Sequence, residues 1–425
     1  MNTRRVAIIG AGAAGLVAAR ELIRVGHEPV IFEQSARIGG VWVFDPAIDD
    51  DPSGRQADKP VYSSIYASLR TNLPRDLMAF LDYPFDSQGG GQDDWPRFPH
   101  HRCVLTYLEN FCRDFQLQNY LRCNHRIVSV RPESNSWQVT WDLADNSLTT
   151  DTFDAVMVCN GHYSQPRVPH LPGIEHFKGR IIHSHNYRDA KAYQDQRVVL
   201  WGAAASGADI SREIATTAAK VDWCGQALAG RQASVLPNPV HTHGEPIGFD
   251  PQGDLVLSDA ERLTDIDVLM FCTGYEYQFP FLSNDIVSVE DNWVSPLYQD
   301  LVVPAYPTLA FIGLPYLIVP FPLFEIQARW FARWLAGQFN LPEQRQMEAD
   351  QRAHVQSLRD AGIKTRHFHK LAEKQTDYFN RLSAQCGEPP LAEWFSNLTL
   401  LAQQARLASP NTFRDVPLSD EKTPG

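Results

Sequence analysis

The chain has 425 residues, with 38 basic against 50 acidic side chains and a net charge of −12. That balance, with no basic run, argues against a nucleic-acid or anionic-membrane partner. Hydrophobic residues at 44% and charged residues at 21% suit a soluble globular chain of two domains.

Seven scattered cysteines, none in a Cys-x-x-Cys pair, read as reduced thiols and not as a disulfide framework. Met1 to Gly10 leads straight into a strand, so no signal peptide is expected. The longest apolar region, Leu309 to Phe324, is broken by Pro315, Pro320 and Pro322, so no transmembrane span is expected. A cytoplasmic chain is the expectation.

Val6 to Ile9 is a continuous apolar run of the kind buried in a parallel sheet. Gly10-x-Gly12-x-x-Gly15 follows, and Ala14 to Val25 is rich in helix formers, with Gly26 at the C-terminal stop. A second strand, "PVIFE", ends in Glu33, followed by Gln34. This order of strand, glycine turn, helix and acid is the dinucleotide-binding pattern. Gly10 permits the tight turn, Gly12 lets backbone approach a pyrophosphate, and Gly15 lets helix and strand pack closely. The helix start at Ala13 and Ala14 offers amide donors and a partial positive charge, and Glu33 can accept from ribose hydroxyls. "RIGGVW", Arg37 to Trp42, adds Gly40, Val41 and Trp42. It resembles the second glycine pair of flavoproteins that bind two dinucleotides, which favours FAD over NAD.

Two loops rich in Pro, Gly and Asp, starting at Asp45 and Asp86, are expected to resist packing. From His125 the chain alternates as β-hairpins and returns to a buried strand, Ala155 to Cys159. A second unit opens near Ser164. In it, Val198 to Trp201 runs into Gly202, with Ala204, Ser206, Gly207 and Asp209 following. Gly202 and Gly207 match the first and third glycines of a second dinucleotide turn, and Ala204 replaces the middle one. Its methyl costs about 1–3 kcal/mol if the loop cannot relax. A bare strand-to-helix turn is the alternative for this stretch. Further on come a buried strand in "DVLMFCTGYEY", a helical segment from Phe324 to Gln338, and an acidic, prolyl tail from Ser409 expected to be poorly ordered. The histidines of "HTH" and "RHFHK" read as solvated, and no metal site is expected.

Just before the second turn, "FKGRIIHSHNYR" fits Phe-x-Gly-x-x-x-His-x-x-x-Tyr through Phe177, Gly179, His183 and Tyr187. On this fingerprint the chain resembles the flavin-containing monooxygenases, class B flavoprotein monooxygenases. "FCTGY" with Thr273 and Gly274 resembles the family's domain-closing motif. "RTNLPRDLMAF" resembles the segment that carries an active-site asparagine, here Asn72. "PFPLFEIQARWF" resembles the one that places a glutamine, here Gln327, near the flavin.

The resemblance implies an α/β fold of two Rossmann-like domains, the NADPH domain inserted into the FAD domain. The boundaries expected are 1–165 and 280–425 for FAD and 166–279 for NADPH, with the active site at their interface. It implies FAD contacts from Gly10, Gly12, Ala13, Ala14, Gly15, Glu33, Gln34, Gly40, Val41, Trp42, Thr71, Asn72, Leu73 and Gln327. NADP contacts fall to Asn72, Gly202, Ala204, Ser206, Gly207, Asp209, Gln226, Thr273 and Gly274. Gln226 stands where relatives place an arginine for the 2′-phosphate, so acceptance of NADH beside NADPH is an expectation; Arg231 or Lys220 can substitute for that arginine.

The implied chemistry, of the N,N-dimethylaniline monooxygenase type, is hydride transfer from NADPH to FAD and capture of O2 as a C4a-hydroperoxyflavin. Oxygen then passes to a small-molecule amine nitrogen or sulfide sulfur. Three alternatives stay open: a Baeyer–Villiger monooxygenase of ketones, which usually has tryptophan where Tyr187 stands, an NAD(P)H oxidase, and a non-catalytic nucleotide-binding protein. Substrate and homo-oligomerisation are also open.

Overall fold

The computed structural model describes residues 3–58, 60–143, 147–228 and 240–418. The chain parts into two compact units, one of Met1–Val43, Arg70–Gly161 and Tyr277–Gly425, the other of Phe44–Leu69 and His162–Glu276.

In the first unit, β1 (Arg5–Ile9), helix α1 (Ala13–Arg24) and β2 (Glu28–Glu33) form the βαβ unit that the glycine pattern predicts. Strands β3 (Leu121–Cys123) and β4 (Ala155–Val158) flank it in parallel. The sheet is completed by Tyr306–Phe311, parallel to β4, and its antiparallel neighbour Val302–Val303. The central strands are apolar on both faces because both are covered. One face packs Leu16, Leu22 and Phe331 among others. The other packs Phe32, Trp137, Trp141 and Phe153, the last three from the predicted hairpin strands Arg126–Glu133, Ser136–Asp142 and Leu148–Phe153.

A helix at Pro320–Leu335 lies against α1. It begins before the expected Phe324 because proline is tolerated in the first helical turn, where its missing N–H has no partner to lose. Arg20 on α1 is 2% exposed and Glu325 fully enclosed. They pair at 2.8 Å, while Arg20 also reaches Glu21 at 2.7 Å and Asp82 at 2.6 Å. Arg329 bridges Glu21 and Glu325 from the other side. Removing one member of such a cluster strands a buried charge, at about 3–5 kcal/mol.

The expectation of a loose tail from Ser409 is corrected over its described residues. Phe413 is buried against Phe98, Arg414 Nε donates to the Thr71 carbonyl at 2.8 Å, and Asp415 pairs with Arg70 at 2.7 Å. An aromatic anchor and two arginine contacts hold this stretch where composition alone suggested disorder.

The second unit carries a fully parallel sheet of β5 (Arg180–His183), β6 (Arg197–Trp201), β7 (Lys220–Cys224), β8 (Val240–His243) and β9 (Val268–Phe271), ordered β8-β7-β6-β9-β5. Helix α2 (Ala205–Ile214) crosses from β6 to β7. Residues 44–69 belong to this unit, although the sequence reading left them with the FAD stretch. The first Asp-rich loop does not resist packing. Asp49 is buried, accepts from Val61 N at 2.5 Å and pairs with His185 at 3.2 Å, and its own N–H donates to Asn186 at 2.9 Å. Among the described residues no helix is long and apolar enough to cross a membrane.

Candidate nucleotide sites

Each unit builds one glycine turn, and the two turns repeat one another residue by residue. Gly10 takes φ +106° and Gly202 φ +136°, backbone that favours glycine. Gly10 N donates to Phe32 O at 2.8 Å; Gly202 N donates to Cys224 O at 2.9 Å. A Cβ on Gly10 would meet Cys159 O at 2.5 Å, and one on Gly202 would meet Cys272 O at 2.1 Å. The third glycines are equally obligatory: a Cβ on Gly15 would lie 1.9 Å from Gly10 O, and one on Gly207 would lie 2.0 Å from Gly202 O. Both helices start at the same offset, after Gly12 and after Ala204.

Gly12 has φ −76° and ψ −171°, and Ala204 has φ −90° and ψ −167°. This is extended backbone open to any residue, so Ala204 adds no backbone strain. It is exposed, as is the middle of the turn around it. The only cost of its methyl is the distance it imposes on a ligand.

In the first unit the bare backbone of Gly12 faces Gly40, where a Cβ on Gly40 would come within 3.1 Å of Gly12 Cα. Two partly exposed glycines beside the amides of a helix start, with no acidic side chain in that first turn, fit a pyrophosphate. Val41 and Trp42 stand half-buried next to them. Glu33 is buried, and its Oε2 accepts the Ala11 N–H at 2.9 Å while Oε1 accepts Ser35 N and Oγ, each at 2.8 Å. The acid therefore braces the glycine turn as well as closing β2. Gln34 is exposed. These features fit FAD.

Asn72 is half-buried on a segment held at both sides, by Thr71 N to Pro99 O at 2.9 Å and by Arg75 N to Arg97 O at 2.7 Å. Its own amide makes no hydrogen bond among the described residues, which leaves it available to a ligand. Leu73 is likewise half-buried. The side chains of Thr71 and Gln327 are bonded within the protein. Thr71 is buried with Oγ1 donating to Leu73 O at 2.8 Å. Gln327 is fully enclosed; its Oε1 accepts from Gly313 N and its Nε2 donates to Tyr378 Oη, both at 2.8 Å. Both side chains are thus bonded within the protein, and each fixes the segment that carries it.

The fingerprint residues prove to be fastenings within the second unit. Phe177 stacks on Phe249 with centroids 5.0 Å apart, and a Cβ on Gly179 would strike Asp267 O at 2.5 Å. His183 pairs in register with Phe271, and its Nε2 meets the Gly274 carbonyl at 3.1 Å. Burial pushes its pKa down to about 3, so it is a neutral imidazole. Tyr187 is fully buried between Tyr66 and Tyr193, and burial raises its phenol well above the usual range. The fingerprint thus ties β5 to the "FCTGY" segment, where Gly274 has open space at its α-carbon and Thr273 Oγ1 donates to Arg167 O. On α2, Ser206 and Asp209 are half-buried, and Asp209 accepts from Tyr66 Oη at 3.4 Å. Gln226 is exposed just past β7. Lys220 lies at the opposite end of that strand, paired with Asp222 at 2.9 Å, and Arg231 lies outside the described residues.

The histidines are not uniformly solvated. His241 and His367 are exposed, but His243 bridges Asp222 at 2.8 Å and Glu261 at 2.9 Å. His369 is buried between Asp300 and Val294 N, each at 2.9 Å. Sequence reasoning also missed Glu245, whose carboxylate sits at the ends of β6 and β7; no spacing rule points to it.

The family model described as flavin-binding monooxygenase-like matches residues 3–250 and 233–408. Flavin-containing monooxygenase FMO GS-OX5 of Arabidopsis thaliana is 42% identical over 401 residues, covering 93% of this chain and 87% of that protein. The structure of S-allyl-L-cysteine S-oxygenase from Allium sativum aligns with a TM-score of 0.92 at 41% identity, over 98% of this chain and 95% of that one. Tmm from Pelagibacter sp. strain HTCC7211 aligns with a TM-score of 0.83 over 99% and 96%, at 23% identity, which speaks to the fold alone. With two Rossmann-like glycine turns, the ordered fingerprint and a family match over most of its length, this chain belongs to the flavin-binding monooxygenase-like family, as a flavin-containing monooxygenase.

Proposed function

We propose that the protein oxygenates the sulfur of a small thioether, using FAD on the first unit and a nicotinamide coenzyme on the second. The observation that carries the reading is the repeated glycine turn, one anion-binding backbone cradle for each dinucleotide. FAD, once reduced by the coenzyme, supplies the activation of O2. Overall, a thioether, O2, NAD(P)H and a proton give a sulfoxide, water and NAD(P)+. Likeness to an S-allyl-L-cysteine S-oxygenase across nearly the whole chain favours sulfur over amine nitrogen.

The residues have separable tasks. Gly10, Gly12 and Gly15 with the amides of Ala13 and Ala14 hold one pyrophosphate, and Glu33 holds its ribose. Gly202, Ser206 and Gly207 serve the second dinucleotide. Asn72, with its free amide, donates or accepts at the reacting ring system and helps exclude water. No side-chain nucleophile is required, since the substrate itself is the nucleophile. All seven cysteines are free, which supports a reducing compartment such as the cytoplasm.

The test is coenzyme consumption by the FAD-loaded protein with thioethers, tertiary amines and ketones, scoring oxygenated product against hydrogen peroxide. Sulfoxide in near-equal amount to coenzyme consumed is expected. Ester from ketone as the main product, or peroxide alone with every substrate, would overturn the reading.

A further inference from the structure

Where the two turns diverge, the second unit draws a carboxylate from outside its βαβ unit. In the first unit the acid closes β2, and Glu33 faces the Ala11 N–H. The register of β6 and β7, with Trp201 opposite Cys224, matches Ile9 opposite Phe32. Gly225 therefore stands where Glu33 does, and Gln226 where Gln34 does. A Cβ on Gly225 would lie 3.4 Å from the Ala203 nitrogen, so the missing side chain is the one that would approach that amide. The acid that is present is Glu245, just past β8. Its Oε2 accepts the Gln226 N–H at 2.7 Å and its Oε1 accepts the Trp201 indole N–H at 3.0 Å. Two neutral donors thus fix this carboxylate at the C-terminal edge of the sheet.

Other carboxylates gather there. Burial raises the Cys224 thiol, and Asp222, Glu261, Glu245 and Asp259 add to the effect. Among the described residues, His243 beside this edge is already engaged with Asp222 and Glu261. Glu245 has no cationic partner among the described residues.

We propose that Glu245 is the coenzyme-selecting residue, accepting from the adenosine ribose hydroxyls of a nicotinamide dinucleotide and disfavouring one that carries a 2′-phosphate. The inference rests on the reading of the second unit as the nicotinamide site. A 2′-phosphate meets like charge at this edge, and the Gln226 N–H that would serve it is already taken. An acid that binds the ribose selects the unphosphorylated coenzyme by the same logic that operates at strand ends.

The test is calorimetric binding of NAD+ and NADP+ to the FAD-loaded wild type, Glu245→Gln and Gln226→Arg. Wild type is expected to bind NAD+ at least as tightly as NADP+. Glu245→Gln should shift the affinity ratio toward NADP+ by about tenfold or more, the scale of one unscreened like-charge contact near a protein surface. Gln226→Arg should shift it the same way. In wild type alone, added salt should raise the NADP+/NAD+ affinity ratio by screening the repulsion, a readout that does not depend on how a variant folds. A wild type preferring NADP+ a hundredfold, or an unchanged ratio in folded Glu245→Gln, overturns the role of Glu245 and leaves the nicotinamide site standing. Failure of wild type to bind either coenzyme overturns both.

Discussion

Replacing Glu33 by alanine should separate the brace from the ribose contact. In the folded chain Glu33 is 7% exposed and takes three hydrogen bonds, from Ala11 N, Ser35 N and Ser35 Oγ. Alanine leaves the buried Ala11 N–H without an acceptor, a cost of about 1–3 kcal/mol. It also removes the charged acceptor for the ribose, worth about 1.5–3 kcal/mol. The first cost falls on the stability of the flavin-free protein, and the second alone predicts a loss of FAD affinity of about ten- to a hundredfold. Gln34→Ala, on an exposed side chain, should stay within about 0.5 kcal/mol. The assay is reconstitution of flavin-free protein, following quenching of flavin fluorescence, with melting temperatures taken before and after FAD. The brace lowers the melting temperature of the flavin-free protein, whereas the ribose contact shrinks the gain on adding FAD. Equal FAD retention by the two variants would refute the placement of the ribose at Glu33. A lower melting point with unchanged FAD affinity would reduce Glu33 to a brace.

Asn72→Ala should keep FAD and its reduction but release most reducing equivalents as hydrogen peroxide; normal sulfoxide yield per coenzyme would remove Asn72 from the site. Arg414→Ala, which frees the Thr71 carbonyl beside Asn72, should raise the peroxide fraction several-fold with FAD affinity nearly unchanged, and an unaltered fraction would show that the tail does not position that segment. His183 has its folded pKa lowered from 6.5 to about 3 by burial, so between those values the unfolded chain binds the extra proton. Stability is full above pH 6.5 and is lost as the pH falls, by about 2 kcal/mol at pH 5 from this group. His183→Asn should therefore flatten the fall in melting temperature between pH 7 and pH 5, and an equally steep fall would reject the assignment.

Much of the site was legible in the sequence because glycine turns are local. Gly10 and Gly15, like Gly202 and Gly207, are demanded by carbonyls within a few residues or on the adjoining strand, so spacing alone announces them. The same holds for the strand runs, the hairpins after His125, and the fingerprint from Phe177 to Tyr187, whose members fasten one sheet edge. Spacing could report which residues recur together, but it could not distinguish a ligand contact from a fastening, and the intraprotein bonds of Gln327 and Thr71 show only in the folded chain.

What only the tertiary structure decided involves groups far apart in the chain. Asp49 meets His185, Arg20 meets Glu325, Arg414 meets Thr71, and Glu245 meets Gln226 and Trp201. None of these pairs follows from periodicity, because an ion pair or a hydrogen bond depends on where packing delivers two side chains and not on their separation in sequence. Backbone sterics wrote the two dinucleotide turns into local sequence. The carboxylate of Glu245 beside the second turn comes from just past β8, and only the folded sheet could bring it there.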